Sequence, residues 1–141
     1  MAGKTIGEMK IGDSAYFEKT ITEGDVYLYA GVTGDMNPAH INVVEAGKSR
    51  FGQRIAHGML TAGLVSAVLG TKLPGEGSIY LAQEMKFTAP VLFGDTICAT
   101  ATVAELLPEK NICKLRTVCT NQDGKTVLEG VATLMPRKEK I

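Results

Sequence analysis

AHGMLTAGLVSAVLG, residues 56–70, is the segment around which the rest of the chain has to be arranged. Met59 to Leu69 carries no charge, and only Thr61, Gly63 and Ser66 interrupt its apolar run. A bilayer span needs about 20 apolar residues, so this run is too short to cross a membrane. As a helix from His57 to Leu69 it measures about 20 Å at about 1.5 Å per residue, with Gly70 suited to the position just past its end. A helix that is apolar on nearly every face is stable only when buried all round. Its glycines and alanines let other elements approach closely.

The flanking sequence supplies the cover. KLPGEGS (72–78) breaks the chain, and the remainder reads as strand. In IYLAQEMKFT (79–88), Ile79, Leu81, Met85 and Phe87 alternate onto one face, with Gln83 as the exception. In TICATATVAEL (96–106), Ile97, Ala99, Ala101 and Val103 do the same. PVLFGD (90–95) marks a turn between these two. NICKLRTVCT (111–120) and TVLEGVATLM (126–135) are joined by NQDGK, whose Asp123-Gly124 pair is a hairpin signal. Upstream, YFEKTI (16–21) reads as a short strand, and Thr22 caps a helix over EGDVYLYAGVTG (23–34). Glu23 and Asp25 suit that helix's positive end, and Val26, Tyr29 and Ala30 lie at core-facing spacing. The segment after Gly34 reads as a loop, because Pro38 disfavours helix at Asn37. VVEAGKSR (43–50) has room for one or two helical turns. Consecutive strands imply an antiparallel sheet and an α+β fold. A curved sheet would enclose most of the apolar helix, and a second subunit would cover the rest.

The composition fits one domain over residues 1–141, with 45% hydrophobic and 21% charged residues. Fifteen basic residues balance fifteen acidic ones, so nothing in the charge draws the chain to nucleic acid or an anionic membrane. MAGKTIGEMKIGDS (1–14) lacks the apolar core of a signal peptide. Cys98, Cys113 and Cys119 form no CxxC unit and cannot all pair, which fits reduced buried thiols in a cytoplasmic protein. Cys113 and Cys119 share one face of their strand. The charged PRKEKI (136–141) reads as a frayed end.

Chemistry concentrates in TGDMNPAHINVVEAG (33–47). Asp35 and His40 lie five apart across a proline turn. An aspartate can take a proton, an imidazole can give or take one near neutral pH, and the pair can hold one water between them. Asn37 can brace the loop through its amide. The same residues equally suit an ordinary polar turn, since Gly-Asp and Asn-Pro are turn dipeptides. One histidine and one aspartate with no third ligand nearby make a poor zinc set, so no metal is expected. His57 reads as a capping or buried core histidine. Gly58 opens the apolar helix, where backbone N–H groups lack intrahelical partners; it serves either close packing or an oxygen developing negative charge. The signatures G-x-S-x-G, G-x-x-x-x-G-K-[ST] and G-x-G-x-x-G are absent, which removes the usual marks of a serine hydrolase, a nucleotide hydrolase and a dinucleotide-dependent dehydrogenase.

YAGVTGDMNPAHIN (29–42) followed by RIAHGMLTAGLVS (54–66) resembles the MaoC-like dehydratase family, specifically its single-domain (R)-specific enoyl-CoA hydratases. Gly34, Asp35, Asn37, Pro38 and His40 match the hydratase signature, with Tyr29 upstream and AHGM downstream. The Lys86–Asp95 segment and the final strands also suit the family. The resemblance implies a hot-dog fold, a central helix wrapped by an antiparallel sheet, usually dimeric. It implies Asp35 and His40 as a catalytic dyad, Gly58 N–H as a donor to the thioester oxygen, and Asn37 and Pro38 as loop scaffold. It implies an enoyl-CoA or 3-hydroxyacyl-CoA substrate, short-chain by its single short domain, with no cofactor beyond the substrate's own coenzyme A. An acyl-CoA thioesterase on the same fold and a non-catalytic partner subunit are the alternatives. Arg50, Arg54 and Lys86 could meet coenzyme A phosphates, but isolated surface charges are ordinarily solvated, and none is assigned.

Overall fold

The computed structural model describes residues 2–138. Its elements run β1 (Ser14–Thr20), α1 (Glu23–Thr33), α2 (Pro38–Ile41), α3 (Val43–Gly47), α4 (Gly58–Thr71), β2 (Ile79–Phe87), β3 (Thr96–Leu107), β4 (Ile112–Thr120) and β5 (Thr126–Met135). The five strands form one antiparallel sheet in the order β1-β3-β4-β5-β2. Helix α4 touches β1 and β2, the two edges, as well as β3 and β4 between them. A sheet can touch one helix from both edges only if it curves round it. This is the α+β hot-dog arrangement.

Strict alternation builds the inner face. Ile97, Ala99, Ala101 and Val103 of β3, and Cys113, Leu115 and Cys119 of β4, are each at most 1% exposed. They meet Leu64, Val65, Val68 and Leu69 of α4 in one core. Burial pushes the Cys113 thiol up to about 11 and the Cys119 thiol up to about 12, so both behave as inert apolar groups. The two hairpin strands fall where their sequence patterns put them, with Gly124 at φ +77° in the turn.

Helix α1 is fixed at both ends by its own sequence. Thr22 Oγ1 accepts from Asp25 N–H at 3.1 Å, and Asp25 Oδ2 accepts from Thr22 N–H at 2.9 Å. Gly34 ends it at φ +81°, a conformation that costs glycine little. Arg54 then clamps α1 to the loop before α4. It lies 2.8 Å from Tyr27 OH and 3.4 Å from Glu23, with its guanidinium 4.8 Å from the Phe93 ring centroid.

Four expectations change. The segment after Gly34 is not all loop: Asn37 caps a single turn, Pro38–Ile41, by accepting from Ala39 N–H at 3.0 Å, and Pro38 occupies the start where a missing N–H costs nothing. Helix α4 runs to Thr71 with Lys72 as its C-cap, so Gly70 lies inside it. In β2, the pairing with β5 skips a residue between Tyr80 and Ala82. This bulge at Leu81 shifts the alternation by one, separating Ile79 from the face that holds Met85 and Phe87 and turning Tyr80 inward. Gln83, the polar exception on that face, bonds Tyr80 OH and, at 3.1 Å, Thr117 Oγ1. Arg137 is anchored: it bonds the Gly3 carbonyl and lies 3.3 Å from Glu8. The rest of the expected frayed end, residues 139–141, lies outside the described residues.

The cover over α4 is incomplete within one chain. Met59, Gly63, Ser66 and Gly70 form an exposed stripe, and Met59 is 51% exposed. Beside it, edge strand β2 exposes Ile79, Leu81 and Phe87 by about half.

This packing sets two measurable outcomes. Leu69→Ala, at a fully buried position, is expected to cost about 2–5 kcal/mol in denaturant unfolding, and Thr22→Ala about 1 kcal/mol. The Lys19 ammonium 2.7 Å away and the Thr22 N–H hold the Asp25 carboxyl below its ordinary 3.8. A depressed carboxyl stabilises the fold above its unfolded value and ceases to as pH falls through the lower folded one. Unfolding followed below pH 4 should therefore show an acid-dependent loss that Asp25→Asn removes.

Candidate active site

The site forms where the turn after α1 meets the start of α4. Gly34 turns the chain out of α1, which brings Asp35 beside the α4 entrance. Asp35 Oδ1 accepts from Asn37 N–H at 3.2 Å, and Thr33 Oγ1 accepts from Asp35 N–H at 3.2 Å. Asn37 and Pro38 start α2, whose last turn carries His40. The His40 ring is anchored from the other side, because Nδ1–H donates to the Ile55 carbonyl at 2.7 Å. Ile55 N–H in turn donates to the Ala39 carbonyl at 3.1 Å. With Nδ1 used as a donor, Nε2 is the His40 nitrogen with a free lone pair.

A carboxylate oxygen of Asp35, a ring nitrogen of His40 and one of His57 lie within 4.8 Å of one another. One water making two ordinary hydrogen bonds spans about that distance. The fold therefore supplies a third candidate metal ligand, His57, that sequence spacing did not reveal. The ring geometry argues against its use. The two imidazoles stack at 3.8 Å between centroids and 28° between planes. Their in-plane lone pairs run nearly side by side and do not converge on a point about 2 Å from both nitrogens, as a zinc ion requires.

His57 is the N-cap residue of α4, yet its side chain makes no capping bond. Its ring is 2% exposed and turns away, donating Nε2–H to the Asp35 carbonyl at 3.0 Å. It also packs against Tyr29, with centroids 4.6 Å apart. His57 Nδ1 and Thr61 Oγ1 are buried without a hydrogen-bond partner. The first N–H groups of α4 are thus left uncapped, with Gly58 leading them. Gly58 also packs closely: a Cβ there would meet the Phe87 ring at 2.7 and 2.8 Å.

These residues open on a cavity of about 420 Å³, walled by apolar side chains such as Phe51, Ile55, Phe87, Val91 and Val127. Asp35, His40 and Gly58 all line it, so the fold brings together three residues separated by up to 23 positions of sequence. Asn37 and Pro38 are not part of its lining; they start the turn that carries His40. Arg50 also lines the cavity; Arg54 is engaged by Glu23 and Tyr27, and Lys86 borders a separate groove with Arg116 and Glu129. A polar pair and a helix N-terminus facing an apolar cleft suit proton transfer beside a developing oxyanion.

The sequence profile of the MaoC like domain matches residues 8–128, and the chain belongs to that family. An (R)-specific enoyl-CoA hydratase of Rhodospirillum rubrum is 56% identical over 128 residues, which span 91% of this chain and 88% of that protein. A 3-hydroxybutyryl-CoA dehydratase of Methylorubrum extorquens is 43% identical over 134 residues, 94% of this chain and 85% of that one. The solved structure of unliganded R-hydratase PhaJ1 from Pseudomonas aeruginosa superimposes with a TM-score of 0.92 at 42% identity, covering 99% of this chain and 89% of that one.

The scaffold role of Asn37 can be isolated. Asn37→Ala removes the cap of α2 and should cost about 1 kcal/mol in chemical denaturation.

Proposed function

We propose that this protein is an (R)-specific enoyl-CoA hydratase, a hydro-lyase that adds water reversibly and syn to a short-chain trans-2-enoyl-CoA to give the (R)-3-hydroxyacyl-CoA. The observation that carries the reading is the spacing of Asp35 and His40, within 4.8 Å of each other on an apolar cavity that the start of α4 also lines. The names of the relatives support the same reaction.

In this mechanism one water lies between the Asp35 carboxylate and His40 Nε2. Asp35 takes a proton as the water oxygen attacks C3. The C2=C3 electrons move towards the thioester, and the Gly58 N–H donates to the carbonyl oxygen as it gains enolate character. A proton passes through the Asp35–His40 pair to C2 on the same face, which completes the addition of H and OH. The apolar walls exclude competing water. The reaction draws on no cofactor beyond the coenzyme A of its substrate.

The chain is proposed to act as a single hot-dog domain in a homodimer. Met59, Gly63 and Ser66 of the uncovered α4 stripe line one groove with Tyr80, Gln83 and Met85 of β2, a surface that a second copy would bury. Free cysteines, two of them buried, fit a cytoplasmic setting.

The test follows loss of the conjugated enoyl-thioester absorbance with crotonyl-CoA, with chiral analysis of the product. Asp35→Asn and His40→Gln should each lower kcat by about 10²–10⁴-fold while the melting temperature stays nearly constant. Release of free thiol without hydration would assign the site to a thioesterase instead. Light scattering should return about twice the 15.0 kDa chain mass.

A further inference from the structure

The hydration mechanism leaves one buried polar ring without a role. His57 does not cap its helix, is 2% exposed, and makes its side-chain hydrogen bond to a main-chain oxygen 22 positions earlier. That oxygen belongs to Asp35. The same ring also stacks on His40, 3.8 Å away. Asp35 is otherwise held by bonds within its own turn, to Thr33 and Asn37, which fix the shape of the turn and not its distance from the α4 entrance. His40 is tied to Ile55, two residues before His57. Both members of the pair are therefore referenced to the same short run, Ile55 to His57, which leads directly into Gly58.

We infer that His57 is a positioning residue: by donating Nε2–H to the Asp35 carbonyl and stacking on His40, it sets the spacing of the Asp35 carboxylate, His40 Nε2 and the Gly58 N–H. Tyr29 packs against the same ring, tilted at 52° with centroids 4.6 Å apart, and adds a second aromatic contact that holds it. A carbonyl can only accept, so the two bonds assign opposite tautomers to the two stacked rings. Neutral His40 carries its proton on Nδ1, and neutral His57 carries its proton on Nε2. The same residue type thus presents a lone pair to the cavity at position 40 and a donor to the backbone at position 57. The catalytic consequence rests on the hydratase reading; the tautomer assignment does not.

The two histidines are the chain's full complement, so ¹⁵N NMR of the untagged protein contains two imidazole spin systems, which His40→Gln assigns. One Nδ1–H ring at position 40 and one Nε2–H ring at position 57 is the expected result; two rings of the same tautomer would overturn the inference. This arm holds even for a wild type that hydrates no enoyl-CoA, an outcome that would sink the hydratase reading alone. With activity present, His57→Phe keeps a stacked ring and loses the donor, and a displacement of about 1 Å predicts a loss of about 10²-fold in kcat with KM little changed. His57→Gln, whose amide can still donate, should recover a substantial part of that loss. Wild-type kcat in His57→Phe, or kcat and KM moving together in both variants, would reduce His57 to a packing residue. Should His57→Phe fail to fold, His57→Gln and the tautomer assignment decide.

Discussion

A helix with no charged residue from end to end needs most of its surface covered, and every other element answers to that constraint. The sheet curves because both of its edges must reach α4. The inner faces of β3 and β4 are small or branched because the helix fills the space between them. The site takes its apolar walls from the same cause. The helix begins at the rim of its enclosure, so its uncapped N–H groups look into an apolar cleft, where an electrostatic contact is stronger than it would be in water.

Against that apolar background the polar groups are few and tightly referenced. Asp35 and His40 come from a turn and a single helical turn, elements with little stability of their own. They are held by contact with the run entering α4: Ile55 on one side, the His57 ring on the other. Rigidity at the site is thus borrowed from the helix, although neither half of the pair belongs to it. Gly58 couples the two demands, since it admits Phe87 to close packing and carries the first backbone N–H of α4.

Much of this was legible in the sequence because its cause is local. Thr22 with Asp25, then Gly34, mark α1 through bonds made within a few residues. The alternation of Ile97 to Val103 and the Asp123-Gly124 turn mark strands by the pleat and by φ. The Asp35, Asn37 and His40 spacing marked the loop as a candidate, and resemblance to a known family supplied roles that spacing alone left open. The features that escaped depend on distant partners. Leu81 bulges because of its pairing with β5, and nothing in its own neighbours requires it. His57 reads as a capping or core histidine because the residues it serves, at positions 35 and 40, are brought to it only by the fold. The α2 turn and the end of α4 carry local signals with two meanings: Asn followed by Pro starts a helix as well as it breaks one, and Gly70 sits inside a helix as well as past its end.

The order of strands also governs when the site can exist. β1 pairs with β3, so Ser14 meets Thr102, and α1, the polar turns and α4 all lie inside the loop this pairing closes. Closing so long a loop is entropically costly and comes late in folding. On a ribosome, Asp35, His40 and His57 are all synthesised well before β3, whose pairing with β1 closes that loop. The polar groups of the site must therefore wait in an open chain until β3 emerges.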